Sequence, residues 1–472
     1  MNVKKIVATV AAGAMLFGFA GLSQAVCQNT FVYGASAEYN FFTANAAAFM
    51  SKECGDALSN YHSASVDSTH AVIWHGTGDG SAGNEYFGVG SKASYDGICA
   101  MQGDPAGWPY CTPNDSTNPE FGKCPVSERL MANPASCTGT SCTATECKTV
   151  TAGASDVQAQ TFLEASYGML YGPVAGPITF RDFGSNPVSD KAGVNGASNT
   201  LVDANPVVVP FSMFINSSVT ASNGTTDKTI TNLSSSQVKL IFAGQIFNWS
   251  DLGAYYDESG TKWTFDSMPI QVCMRHAGSG SHATFDVTQM TTAAGVSQLL
   301  NAEDCTQYGK CDSTTASDYP LVTAGYGFWF NDGTAQELNC INGSGAWTGK
   351  GAVGYADADK AVGAGSSYTS TTQIALNGQL PSKANVAAMI ENGDYDFWTI
   401  ENLYLPQGTS TVDGSWYGDM LNFIANPANK QDTAYAQNCE MKFWKPTNDF
   451  QSPTKRVPAP VCGSGPDFQW KR

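Results

Sequence analysis

Pro269-Ile-Gln-Val-Cys-Met-Arg-His-Ala-Gly-Ser-Gly-Ser281 says more about this chain than any other stretch. A short apolar run ends in Arg275, and the loop Gly278-Ser279-Gly280-Ser281 leads into His282-Ala-Thr-Phe-Asp-Val. Small residues let a backbone approach a ligand closely, while serine hydroxyls and amide N–H groups at a helix start donate hydrogen bonds; together they favour an anion. Arg275 adds a planar, permanently charged fork suited to phosphate or carboxylate. Each part also has a plainer reading, the loop as a turn and the arginine as a surface ion-pair partner.

On either side of this motif strands and helices alternate. Phe31-Val-Tyr33 reads as a strand, Gly34-Ala-Ser-Ala37 as a tight loop and residues 40–54 as an alanine-rich helix. His70-Ala-Val-Ile-Trp74 reads as a second strand, followed by His75-Gly-Thr-Gly-Asp-Gly-Ser-Ala-Gly83. Residues 148–156 give strand, small-residue loop and the start of a helix, which Asp156 would cap. The apolar run at 205–216 suits a strand buried on both faces, and 397–405 is a second such crossing. Residues 232–252 read as helix, turn and short helix with Ser234 as cap. Helices are also expected at 335–340 and 383–392, and a strand at 351–355. No repeat or heptad interrupts the pattern, so the expected class is α/β.

Lys4 and Lys5, an apolar run from Ile6 to Leu22 and Ser23-Gln-Ala25 form a secretory signal over residues 1–25, placing the mature chain in the periplasm or outside the cell. All 14 cysteines follow it, an even count that makes disulfides the default in an oxidising compartment. Six of them, Cys99, Cys111, Cys124, Cys137, Cys142 and Cys147, fall in a Pro-, Asn-, Ser- and Thr-rich stretch at about 91–148, which reads as a disulfide-stapled insertion. Cys27 and Cys54 flank the first helix, and Cys305 and Cys311 would close a small loop. No Cys-x-x-Cys-His occurs, and the five histidines never join cysteines at zinc-ligand spacing, so neither haem, metal nor any other cofactor is expected. With 24 basic and 41 acidic residues the net charge is −17, which argues against nucleic acid and anionic membranes as partners. It does not argue against a small anion in a cleft, where local dipoles and one arginine dominate.

Several motifs, in order, resemble the periplasmic phosphate-binding protein family (PstS-like). They are Val32-Tyr-Gly-Ala-Ser-Ala-Glu38, Gly76-Thr-Gly-Asp-Gly-Ser81, Gly153-Ala-Ser-Asp156, Ile241-Phe-Ala-Gly-Gln-Ile-Phe-Asn-Trp249 and Arg275-His-Ala-Gly-Ser-Gly-Ser281. Asn331-Asp-Gly333, Gly351-Ala-Val-Gly-Tyr355 and residues 390–398 also match family blocks. The resemblance implies a type II periplasmic-binding-protein fold: two α/β lobes, 26–212 with 400–472 and 213–399, joined by two crossing strands around a ligand cleft. It further implies that Ser36, Ala37, Ser81, Ser155, Asp156, Arg275, Gly278, Ser279, Gly280 and Ser281 surround an oxyanion. Asp156, when ionised, only accepts hydrogen bonds and would select an anion that still carries a proton, such as hydrogen phosphate. Glu38 and Asp79 depart from the family pattern, and Phe183-Gly-Ser-Asn186 is a rival third loop.

The implied function is solute binding, with a small oxyanion as ligand and an ABC transporter's membrane component as partner. The alternatives are an extracellular structural or surface-interaction protein that reuses the fold and, third, a phosphatase. No metal cluster or Gly-x-Ser-x-Gly elbow supports catalysis.

Overall fold

The computed structural model describes residues 27–76, 85–102, most of 124–157, 208–257, 259–275, 279–290, most of 327–382 and parts of 389–425, with a few shorter pieces. The segment expected to be a signal, residues 77–84, His276 to Gly278, Phe183 to Asn186, and Cys305 and Cys311 lie outside the described residues, as does nearly all of the helix expected at 383–392. Among the described residues no helix is long and apolar enough to cross a membrane.

Two large sheets organise the chain. In the first, the order is Leu201–Ala204, Asn402–Pro406, Ala152–Ser155, Thr30–Gly34, Tyr86–Ser91, His70–His75, Tyr61–Ser65, then the short Ser141–Cys142 and Cys137–Thr138. Thr30–Gly34 lies between Ala152–Ser155 and Tyr86–Ser91 and runs parallel to both, so all three carboxyl ends point the same way. Helix Ser36–Cys54 leaves the first of these ends and helix Ser94–Gln102 leaves another. Helix Trp416–Ala425 returns to pack on the first helix, with Phe49 and Trp416 rings 4.7 Å apart.

The second sheet places Val208–Asn216 between Thr371–Leu376 and Ala352–Asp357, with Gln271–Arg275 and Gly327–Asn331 beyond. Gln271–Arg275 pairs in parallel with Ala352–Asp357 and with Gly327–Asn331, where Arg275 opposes Asn331. The chain passes between the sheets at 204–208 and returns at 400–402, since Trp398–Ile400 pairs with Val208–Asn216 while Asn402–Pro406 pairs with Ala152–Ser155. This is a two-lobe α/β architecture. Helix Ser235–Phe242 begins with the expected Ser234 cap, closed reciprocally by Gln237. Trp249 is 1 % exposed, its indole N–H donating to the Gly351 carbonyl at 2.9 Å.

Two expectations change. The stretch read as an insertion from about residue 91 begins with a core helix. Ser94–Gln102 lies so close to the strands behind it that a Cβ on Gly97 would sit 2.5 Å from the carbonyl oxygens of both Tyr33 and Ala154. The same approach draws Gly153 and Ala154 into a strand rather than a loop, because a Cβ on Gly153 would fall 2.3 Å from the Gly97 carbonyl. Small residues there serve close helix–sheet packing. The stapled part follows later: Cys124 bonds Cys147 and Cys137 bonds Cys142. Cys27 bonds Cys54, and Cys273 bonds Cys340, tying the Arg275 strand to helix Thr334–Asn342.

Candidate functional site

The site lies where carboxyl ends of parallel strands from both sheets come together, the usual place for a ligand in open α/β folds. Its floor is a contact between lobes. Ser94, at the start of its helix and 1 % exposed, accepts hydrogen bonds from the Gly280 amide at 3.0 Å and the Asp156 amide at 3.3 Å. Its hydroxyl donates in turn to Asp156 Oδ2 at 3.1 Å. A Cβ on Gly280 would lie 2.3 Å from Ser94 Oγ and 2.5 Å from Asp156 Cβ, so only glycine fits at that crossing point. The returning strand holds Asp156 in place: Thr399 Oγ1 donates to its carbonyl at 2.5 Å, and Asn402 Nδ2 donates to the Ser155 carbonyl at 3.3 Å.

Arg275 ends its strand 2 % exposed. Its Nη1 donates to Thr334 Oγ1 at 2.9 Å, and its amide to the Tyr355 hydroxyl at 3.3 Å. Tyr355 OH also lies 2.9 Å from His282 Nδ1, and burial holds its pKa well above the ordinary phenol value. Glu337, fully buried in the first turn of helix Thr334–Asn342, accepts from the Tyr355 amide at 3.2 Å. Burial pushes its carboxyl well above the usual range against the opposing pull of Arg275.

Of the residues expected around a ligand, the structure brings together Asp156 and Gly280, with Ser279 and Ser281 buried in the same turn. Ser279 caps its helix by accepting from the His282 amide at 3.4 Å. The Ser155 hydroxyl is engaged locally, donating to the Val157 carbonyl at 2.6 Å. Ser36 and Ala37 open the first helix, and Glu38 follows in the same turn. Ser81 and Gly278 lie outside the described residues. His70–His75 runs antiparallel to Tyr86–Ser91, so the two strands' carboxyl ends, at His75 and Ser91, lie at opposite ends of the sheet. Ser91 to Ser94 follows the strand that runs parallel to Thr30–Gly34 and opens helix Ser94–Gln102. His282 is fully buried because its helix turns inward onto Tyr355. Sequence reasoning missed Ser94, Thr334, Glu337 and Tyr355; a small-residue turn between strand and helix at Gly90-Ser-Lys-Ala-Ser94 was the available signal for the first.

Asp56, His75 and Glu85 bring ligand atoms within 4.8 Å of one another. His75 Nε2 and Asp56 Oδ2 lie 3.4 Å apart and partly exposed, at the end of the sheet away from Ser91.

Among solved structures, the chain is similar to a phosphate-binding protein from Stenotrophomonas maltophilia, at 15 % identity and a TM-score of 0.37, covering 88 % of this chain and 93 % of that one. It is also similar to an ABC-type phosphate transport receptor from Vibrio cholerae, at 16 % identity and a TM-score of 0.31, covering 50 % of this chain and 70 % of that one. A DING protein matches at 14 % identity and a TM-score of 0.41, covering 86 % and 89 %. A family model described as the PBP superfamily domain matches residues 183–427. That span is more than half of the sequence and includes Arg275, Gly280 and the whole second sheet, so the chain belongs to the PBP superfamily.

Proposed function

We propose that the chain is an extracytoplasmic solute-binding protein that holds phosphate or a related small oxyanion between its lobes and delivers it to an ABC transporter. The observation that carries this reading is the meeting of polar groups from both lobes at Gly280, Ser94 and Asp156, beside a nearly buried arginine at a strand's carboxyl end. Helix starts supply partial positive charge there, and Arg275 supplies a full one. Asp156, as an acceptor, favours an anion carrying a proton over one that cannot donate. Family membership and the order of the motifs support the same reading, which is binding without turnover.

A thermal-shift comparison of phosphate with sulfate tests it. A ligand at 100 times its dissociation constant stabilises the folded state by about 2.7 kcal/mol, enough to raise the melting temperature by several degrees. Phosphate is expected to produce that rise and sulfate little or none. No rise with phosphate counts against the reading, and an equal rise with both counts against the role given to Asp156.

The Gly280–Ser94 bond also favours a second reading, a surface or structural protein whose lobes are held together by their own contacts. Self-association together with indifference to every oxyanion would favour it.

A further inference from the structure

We propose that the preferred ligand of this cleft is a hydroxyl-rich organic anion, a phosphate-sized oxyanion group joined to a sugar or polyol body, held more tightly than free phosphate. This rests on the oxyanion reading above and adds the class of molecule that carries the charge.

Size comes first. A cavity of about 420 Å³ opens between the lobes, lined on one side by Ser36, Ser91 and Lys92 and on the other by Thr334, Gln336 and Lys360. At ~30 Å³ per molecule of liquid water this is room for about fourteen waters, far more than a five-atom oxyanion fills, and within the roughly 300–1,000 Å³ range of organic-ligand pockets.

Position comes second. Ser94 Oγ already accepts from the Gly280 and Asp156 amides, so those donors are engaged by protein. The open space adjoins Arg275 through its partner Thr334 and lies against the starts of helices Ser36–Cys54 and Thr334–Asn342. Their N-cap positions are Ala35 and Gly333, and neither helix start has a side-chain cap, in contrast to those at Ser234 and Ser279. Uncapped first-turn amides are anion donors. Lys92 and Lys360 add positive charge. Asp357, 3.0 Å from Lys360 Nζ, and Asp359 nearby offset the charge of Lys360, while none of the described residues lining the cavity carries a carboxylate.

The remaining wall fits a polyol. Ser68 and Gln336 present a hydroxyl and an amide, Thr69 has its hydroxyl on Asp67 Oδ1 at 2.8 Å, and the rings of Tyr39 and Tyr368 supply flat apolar surface. The Tyr39 hydroxyl is used on the Asp67 carbonyl at 3.1 Å. Many neutral donors and acceptors beside aromatic surface suit a ligand with several hydroxyls and apolar C–H faces.

The test is calorimetric titration of the dialysed, disulfide-bonded protein with inorganic phosphate, glucose, glucose 6-phosphate and glycerol 3-phosphate. The expected result is that one of the two phosphate esters binds at least tenfold more tightly than inorganic phosphate, and that glucose alone gives no measurable heat. Ala361→Trp, which fills the cavity from its wall, should remove that margin, and Ser68→Tyr on the opposite wall should do the same should the first variant fold poorly. Inorganic phosphate binding as tightly as both esters, or a margin that survives both cavity-filling variants, overturns the inference while leaving the oxyanion reading intact. No binding by any oxyanion overturns both.

Discussion

Gly97→Ala sets helix propensity against packing at a single atom. Gly97 lies inside helix Ser94–Gln102, where alanine is intrinsically favoured over glycine by about 1 kcal/mol. The new methyl, however, would stand 2.5 Å from the Tyr33 and Ala154 carbonyl oxygens and 2.8 Å from the Ala154 nitrogen, all backbone atoms of two central strands. No rotamer change relieves that overlap, so the helix must lift away from the sheet. Overpacking of a core costs about 1–3 kcal/mol, and with backbone on both sides the upper end applies. Set against the propensity gain, a net loss of about 2 kcal/mol is expected. Lifting the helix also carries Ser94 away from Asp156 and Gly280, so ligand affinity should fall together with stability. Urea denaturation under oxidising conditions reads the first effect and titration the second. A variant that is more stable than the wild type by about the propensity difference would refute the close packing described here.

The Cys273–Cys340 bond closes a 67-residue loop, and in the chain-entropy account its removal by a double Cys→Ala substitution should cost roughly 4 kcal/mol. Equilibrium denaturation checks this, and a loss below about 1 kcal/mol would mean that the bond does not brace the Arg275 strand. Glu337 gives a pH signature. Burial raises its carboxyl above the ordinary 4.5, so its contribution to stability is complete below that pH and is lost as pH rises through the raised value. Glu337→Gln keeps an acceptor for the Tyr355 amide but cannot ionise, so the fall in unfolding free energy between pH 5 and pH 8 should be smaller than in the wild type. Equal slopes would contradict the assignment.

What was legible in the sequence was what adjacency encodes. The strand Thr30–Gly34, the helix behind it, the Ser234 cap and the strand ending in Arg275 could each be read from neighbouring residues. Strand direction could not. Gly76 and Ser91 both follow apolar runs with small residues after them, but pairing sends His70–His75 one way and Tyr86–Ser91 the other, and only the second ends at the cleft. Gly153 looked like a loop residue because its role is contact with Gly97, 56 positions earlier and invisible to local pattern. Thr334, Glu337 and Tyr355 reach Arg275 only after the second sheet has assembled.

The most direct test is calorimetric titration of the protein, produced without residues 1–25, with phosphate beside Arg275→Ala. Removing the guanidinium takes away charge-assisted hydrogen bonds of about 1.5–3 kcal/mol each, so affinity should fall by at least about a hundredfold. The account predicts micromolar or tighter binding by the wild type and loss of measurable heat in the variant. Undiminished binding by Arg275→Ala, or none by the wild type, would contradict it.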